Sequence, residues 1–227
     1  MIVSLHVPKA AGNSFRRLLQ VNFGPRLMLD YGDWAGCKVP EAVARCNSRM
    51  VRIRNRGKEL LDRYDAIHGH FIADKYLGLF PVAEFVAFFR DPYQQALSHY
   101  CFLLRNPQRD HPETKVFHEA KMTVHEYLSW DAFHNHQRQY LGNLSVDELA
   151  MVGITEEFTR SVELFNRNFS CDLRGDCFLN VNPERRGGPY RIDEDVRKAV
   201  EKYRAADVDL YRRAKEIFSR MASRAGL

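Results

Sequence analysis

Ile2-Val3-Ser4-Leu5-His6-Val7 reads as a short buried strand, and no spacer separates it from the turn after it. Pro8-Lys9-Ala10-Ala11-Gly12-Asn13-Ser14-Phe15 makes that turn, and Arg16-Arg17-Leu18-Leu19 continues a helix. A buried strand that passes through a Gly- and Lys-containing turn straight into a helix is one unit of the strand–helix alternation that implies an α/β architecture. The same unit is suited to an anion. Backbone N–H groups at a helix N-terminus point outward, and the helix dipole favours negative charge there. Lys9 adds a charge, and Ser14 offers a hydroxyl for capping or for an anion oxygen. The turn is not a Walker A loop, which has the order G-x-x-x-x-G-K-[ST], because here the Lys precedes the Gly.

Two further segments carry chemistry. Glu84-Phe85-Val86-Ala87-Phe88-Phe89 is an apolar run of strand length that ends in Arg90-Asp91-Pro92, with Pro92 suited to the first turn of a helix. Arg90 then stands at the carboxyl end of a strand, where open α/β sheets bind ligands. Ser98 lies about two helical turns further along, so a guanidinium fork and a hydroxyl can approach one phosphate. Between these segments, Tyr64-Asp65-Ala66-Ile67-His68-Gly69-His70-Phe71 reads as a strand entering a loop. Positions i and i+2 of extended chain face one side, so His68 and His70 present two imidazoles together, with Gly69 giving backbone freedom. Imidazole is suited to taking a proton from a hydroxyl.

The order P-K-x-x-G-x-S-F resembles the 5′-phosphosulfate loop of sulfotransferases that use 3′-phosphoadenosine 5′-phosphosulfate (PAPS), and R-D-P-x5-S resembles their grip on the cofactor's 3′-phosphate. His-Gly-His resembles the uronosyl 2-O-sulfotransferases of glycosaminoglycan synthesis. Weaker likenesses run in order along the chain: Asn135-His136-Gln137-Arg138-Gln139-Tyr140-Leu141-Gly142 to N-x-Q-x-x-x-L-G, Val152-Gly153-Ile154-Thr155-Glu156-Glu157-Phe158 to V-G-x-T-E-x-F, Leu179-Asn180-Val181-Asn182 to L-N-V-N, and Asp207-Val208-Asp209-Leu210-Tyr211 to D-x-x-L-Y. Ala10 and Asn13 stand where the family often has Thr, which removes one hydroxyl at Ala10 and keeps a donor at Asn13.

The resemblance implies a carbohydrate O-sulfotransferase, bacterial in type, that moves a sulfuryl group in line from PAPS to a sugar hydroxyl and releases 3′-phosphoadenosine 5′-phosphate. It implies a base in the histidine pair: His70 with His68 beside it in substrate binding, or the reverse. It implies that Lys9, Ala10, Ala11, Gly12, Asn13 and Ser14 hold the 5′ end, and Arg90 and Ser98 the 3′-phosphate. Arg185 and Arg186, in Asn182-Pro183-Glu184-Arg185-Arg186-Gly187-Gly188-Pro189-Tyr190-Arg191, would close over the nucleotide or else form an exposed basic turn. Lys9 and the helix terminus supply the neutralising charge, so no metal is expected. Two rival readings are a P-loop-like nucleotide kinase, disfavoured by the missing Walker A, and a non-catalytic binder of polyanionic glycan or nucleic acid. Nucleic acid is not the expected partner, because RNP-like aromatic motifs and zinc-finger spacings are absent.

The expected fold is α/β: a single P-loop-like domain over 1–227 with a mostly parallel central sheet flanked by helices, as in sulfotransferases. Strands are predicted at 2–7, 64–68, 84–89, 150–153 and 176–181. Helices are predicted at 13–21, 40–47, 57–63, 73–79, 92–104, 122–129, 131–141, 155–168 and 193–222, with 105–120 a loop or mobile flap. The 227 residues suffice for a sizeable core, and the net charge of +5 tilts the odds toward an anionic partner. There is no apolar run of about 18 residues, the length of a membrane span. No signal-peptide pattern precedes the first strand, so a cytoplasmic enzyme is expected, with the Golgi lumen only for a trimmed catalytic domain. Cys37, Cys46, Cys101, Cys171 and Cys177 show no zinc spacing and read as free thiols, with Cys171 and Cys177 able to pair in a secreted protein. Arg49, Arg52, Arg54 and Arg56 read as a solvated face or else a surface for an acidic glycan, and His134 and His136 as a poor metal pair, with His136 within reach of the acceptor pocket.

Overall fold

The computed structural model describes residues 1–35, 40–174 and 188–227. Strands β1 (Ile2–Leu5), β2 (Leu27–Asp30), β3 (Ala66–Gly69), β4 (Glu84–Phe89) and β5 (Met151–Ile154) form one sheet in the order β2-β3-β1-β4-β5. Every pairing is parallel. β1, β3 and β5 are buried along their whole length, as expected for a parallel sheet covered on both faces. Phe15 on α1 (Gly12–Phe23), Phe88 on β4 and Phe165 on α8 (Phe158–Phe169) meet at ring separations of 4.7 and 5.1 Å, and they tie helices to sheet. A second apolar cluster joins Leu103 of α4 (Pro92–Arg105), Phe117 of α5 (Pro112–Glu119), Tyr127 of α6 (Val124–Ser129) and Val200 of α9 (Glu194–Tyr203).

The structure departs from the sequence reading at several elements. β2 falls in a stretch that reads as irregular. It is a four-residue edge strand with Leu29 exposed, so it lacks a full apolar alternation. The predicted flap at 105–120 contains α5, started by Pro112 and by His111, whose ring accepts from the Glu113 N–H. The helix predicted at 73–79 is one 3₁₀ turn, Ala73–Lys75, because Lys75 and Tyr76 turn inward onto Asp30. The last helix is two, α9 and α10 (Ala205–Arg224), broken where Arg204 leaves helical geometry and buries its side chain. Likewise 131–141 divides into a 3₁₀ turn and α7 (His136–Leu141), with Asn135 in the left-handed region between them. The helix predicted at 40–47 extends through α2 (Pro40–Arg54), and α3 (Gly57–Arg63) lies where it is expected. The strand predicted at 176–181, Cys37, Cys177, Arg185, Arg186 and the L-N-V-N segment lie outside the described residues. Cys46, Cys101 and Cys171 are free thiols. Among the described residues no helix is long and apolar enough to cross a membrane.

Candidate active site

β1 has β3 on one side and β4 on the other, and the chain leaves β1 and β4 in opposite directions across the sheet. That topological switch opens a crevice at the carboxyl ends of the two strands. The crevice is a cavity of about 720 Å³, within the range of small-molecule sites. Lys9, Ala11, Gly12, Asn13, Ser14, Arg90, Ser98 and His70 all line it.

The turn after β1 is held in an unusual backbone. Lys9 and Ala11 have φ of 65° and 62°, each costing roughly 1–2 kcal/mol for a residue with a Cβ. Ala11 is the N-cap of α1 and offers no side-chain cap, so the first N–H groups of the helix are left to the cavity. Ser14 is buried in the first turn and serves as no cap. Ala10 corrects the sequence reading. Its methyl is buried in the core, it does not line the cavity, and its N–H turns back to the Val7 carbonyl at 3.3 Å. A hydroxyl missing from that side chain therefore costs the cavity nothing.

Lys9 Nζ lies 4.6 Å from the centre of the Phe102 ring, on α4. Burial, with Arg90, Arg105 and Arg109 nearby, lowers its pKa to about 8. Such mutual repulsion marks a place prepared for negative charge. The turn is held from behind by Gln95, whose Nε2 donates to the Pro8 carbonyl at 3.0 Å. Gln95 Oε1 in turn accepts from the wholly buried Arg204 at 2.7 Å.

Arg90 is fixed by the segments that read as weak motifs. The Gln137 amide pairs with both backbone groups of Arg90, accepting from its N–H at 3.0 Å and donating to its carbonyl at 2.8 Å. Thr155 Oγ1 donates to the Phe89 carbonyl at 3.0 Å. Glu156 accepts from the Asp91 N–H at 3.2 Å, lies 4.0 Å from Arg90 Nε, and accepts from the Tyr211 hydroxyl at 3.0 Å. Asp207 accepts from the N–H groups of Gln137 and Arg138, while Asn135 accepts from that of Ala206. Helices α7 and α10 thus cap each other. The Arg90 guanidinium donates to the Lys9 carbonyl at 3.1 Å, which links the two loops.

The histidines form a stack. His6 sits between His68 and His70, with ring centres at 5.1 and 4.0 Å. His70 Nδ1 lies 2.6 Å from the His6 carbonyl, an acceptor, so Nδ1 carries the proton and Nε2 the lone pair. Burial lowers the His70 pKa to about 4, which keeps the ring neutral near pH 7. His68 is only 1% exposed and does not line the cavity; its Nδ1 is paired with Ser4 Oγ at 2.8 Å. The expectation that His68 shares in substrate binding is therefore corrected: it backs the stack. Gly69 is required for close approach rather than for freedom, because a Cβ there would lie 1.8 Å from the Asp30 carbonyl oxygen.

The far rim of the cavity holds residues the sequence does not single out, among them Arg105, Arg109 and His111 from the segment read as a flap. Trp34 meets His111 edge-on at 6.0 Å. His136 lines the cavity, buried against Gln95, while His134 stacks on Tyr203 outside it. A basic and aromatic run within 100–111 is the only signal for this rim. Among the described residues no three His, Cys, Asp or Glu side chains gather as a metal would need.

No family model matches the sequence, and no curated protein matches it significantly. Among solved structures the chain is similar to a sulfotransferase from Alicyclobacillus acidocaldarius, with 15% identity, a TM-score of 0.49, and coverage of 96% of this chain and 95% of that one. A similarity of that degree does not assign a function, which rests on the residues of the site.

Proposed function

We propose that this protein is a PAPS-dependent carbohydrate O-sulfotransferase. The observation that carries the reading is one cavity lined by an uncapped helix N-terminus with Lys9, by Arg90 and Ser98, and by His70, whose Nε2 carries the lone pair. Four cations, Lys9, Arg90, Arg105 and Arg109, converge there, and a ligand anionic at both ends suits them. The first-turn N–H groups of α1 and Lys9 would hold the 5′ end of the nucleotide, and Arg90 with Ser98 the 3′-phosphate. Arg185 and Arg186 remain candidates for covering it. When bound, PAPS supplies the sulfuryl group.

In this reading His70 Nε2 takes the proton of the acceptor hydroxyl while Nδ1–H stays on the His6 carbonyl, which fixes the ring's aim. An anion in the cradle offsets the repulsion that Arg109 and Arg16 exert on the ring, so the base strengthens when the donor arrives. Lys9 and the α1 N–H groups steady charge developing on the leaving side, a preorganised electrostatic contribution. The test is transfer of labelled sulfate from PAPS to a panel of glycans. Lys9→Ala and His70→Ala are each expected to lower turnover by roughly 10²–10⁴-fold. Unchanged product formation in both variants overturns the assignment.

A further inference from the structure

We infer that His6 is a further donor to the anion held in the cradle, its proton fixed on Nε2 by Tyr31. The inference rests on the reading of the cradle given above. His6 is the residue at which β1 gives way to the turn, and His6 and Tyr31 both line the cavity. Its Nδ1 lies 2.7 Å from the Tyr31 hydroxyl. Tyr31 follows β2 directly, and β2 is anchored through Asp30 by Lys75 and Arg49, at 2.5 and 2.7 Å. The phenol keeps its proton, since burial raises its pKa. Its hydroxyl has no other acceptor among the described residues, so O–H donates to His6 Nδ1. Burial, with His70 and His68 next in effect, keeps the His6 ring neutral, and a neutral ring that accepts at Nδ1 must carry its one proton on Nε2.

That Nε2–H is placed against the start of α1. A Cβ at Gly12 would lie 2.1 Å from Nε2 and 1.9 Å from Cδ2, so the imidazole edge occupies the space above the first turn of the helix. Gly12 is present to admit this ring. The residue is only 4% exposed, and Nε2 has no hydrogen-bond partner among the described residues. A donor without a protein partner, on a residue 4% exposed that lines the same cavity beside uncapped helix N–H groups, is completed by an anion oxygen. Tyr31, which acts only through His6, is a positioning residue.

The experiment has two arms, applied to His6→Phe, His6→Gln and Tyr31→Phe. In the first, imidazole ¹⁵N–¹H correlation spectra are recorded during titration with inorganic sulfate. The wild-type His6 signals are expected to show protonated Nε2 and accepting Nδ1, with the Nε2 signal moving as sulfate binds. Tyr31→Phe is expected to shift the tautomer balance. A protonated Nδ1, or sulfate affinity unchanged in His6→Phe, overturns the inference. In the second arm, calorimetry compares 3′-phosphoadenosine 5′-phosphate with adenosine 3′-phosphate. His6→Phe is expected to weaken the former by about 10- to 100-fold, as for a hydrogen bond to a charged group, and to leave the latter unchanged. His6→Gln, which keeps a terminal N–H, is expected to recover part of the loss. Equal losses for both nucleotides indicate a structural role and overturn the inference. If the wild type binds neither nucleotide, the sulfotransferase reading falls while the sulfate arm still decides His6. Tyr31→Phe, which removes one oxygen, decides it where His6→Phe does not fold.

Discussion

Lys9 and His70 titrate far from their ordinary values, and each shift has a consequence in solution. Lys9 carries its charge below about pH 8, and an anion beside it favours the charged form. Nucleotide affinity is therefore expected to be level below pH 8 and to fall above it, by up to about tenfold per unit as binding must first take up a proton. Calorimetry across pH 6 to 10 checks this, and an affinity level through pH 10 contradicts it. His70, held near 4, loses its lone pair only in acid. The acid limb of kcat/KM is expected to fall toward pH 4 rather than near 6.5, the ordinary histidine value. Gly12→Ala is expected to abolish nucleotide binding while the chain stays folded, because the new methyl occupies the place of the His6 ring. Much of this was legible in the sequence: Lys9, Gly12, Arg90, Ser98 and His70 all stand on the cavity. Ala10 and His68 do not, because a turn with two left-handed residues and a third histidine between strands cannot be read from spacing. His6 had no signal beyond being a polar residue at the end of an apolar strand.

Among the elements, the informative finding is that segments far apart in sequence meet at one backbone position. Gln137 on α7 extends the hydrogen bonding of β4 by one residue, to Arg90. Gln137→Leu keeps the volume and removes both of these part-buried hydrogen bonds to the Arg90 backbone. It is expected to cost about 0.5–1.5 kcal/mol for each lost hydrogen bond in urea unfolding, and to weaken nucleotide binding through Arg90. Asp207, on the first turn of α10, has its pKa raised by burial from 3.8 to about 6. A carboxyl raised on folding stabilises most below its unfolded value, and that contribution is lost as pH rises through 6. The stability of Asp207→Asn is therefore expected to vary less between pH 4 and 6 than that of the parent. An unaltered pH dependence would show that Asp207 is ionised throughout. The motifs stand in order along the chain, yet nothing in them signals their purpose, since cross-capping between α7 and α10 depends on tertiary contact. The break at Arg204 is equally hidden, because helix periodicity runs through a residue whose side chain turns inward to Gln95.

For the whole molecule, alternation of apolar strands and helices was enough to predict a parallel sheet, and a cavity lies at its carboxyl edge. The edge strand β2 escaped because it is short and half exposed. It nonetheless carries Tyr31 to the cavity, so the least legible strand supplies part of the cavity wall. The central claim is that this crevice is built for a nucleotide phosphorylated at both the 3′ and 5′ positions. Calorimetric titration with 3′-phosphoadenosine 5′-phosphate, with AMP as control, on the native protein and on Arg90→Ala tests it most directly. The account predicts binding that needs the 3′-phosphate and is lost in Arg90→Ala. No binding, or equal binding of AMP, would contradict it.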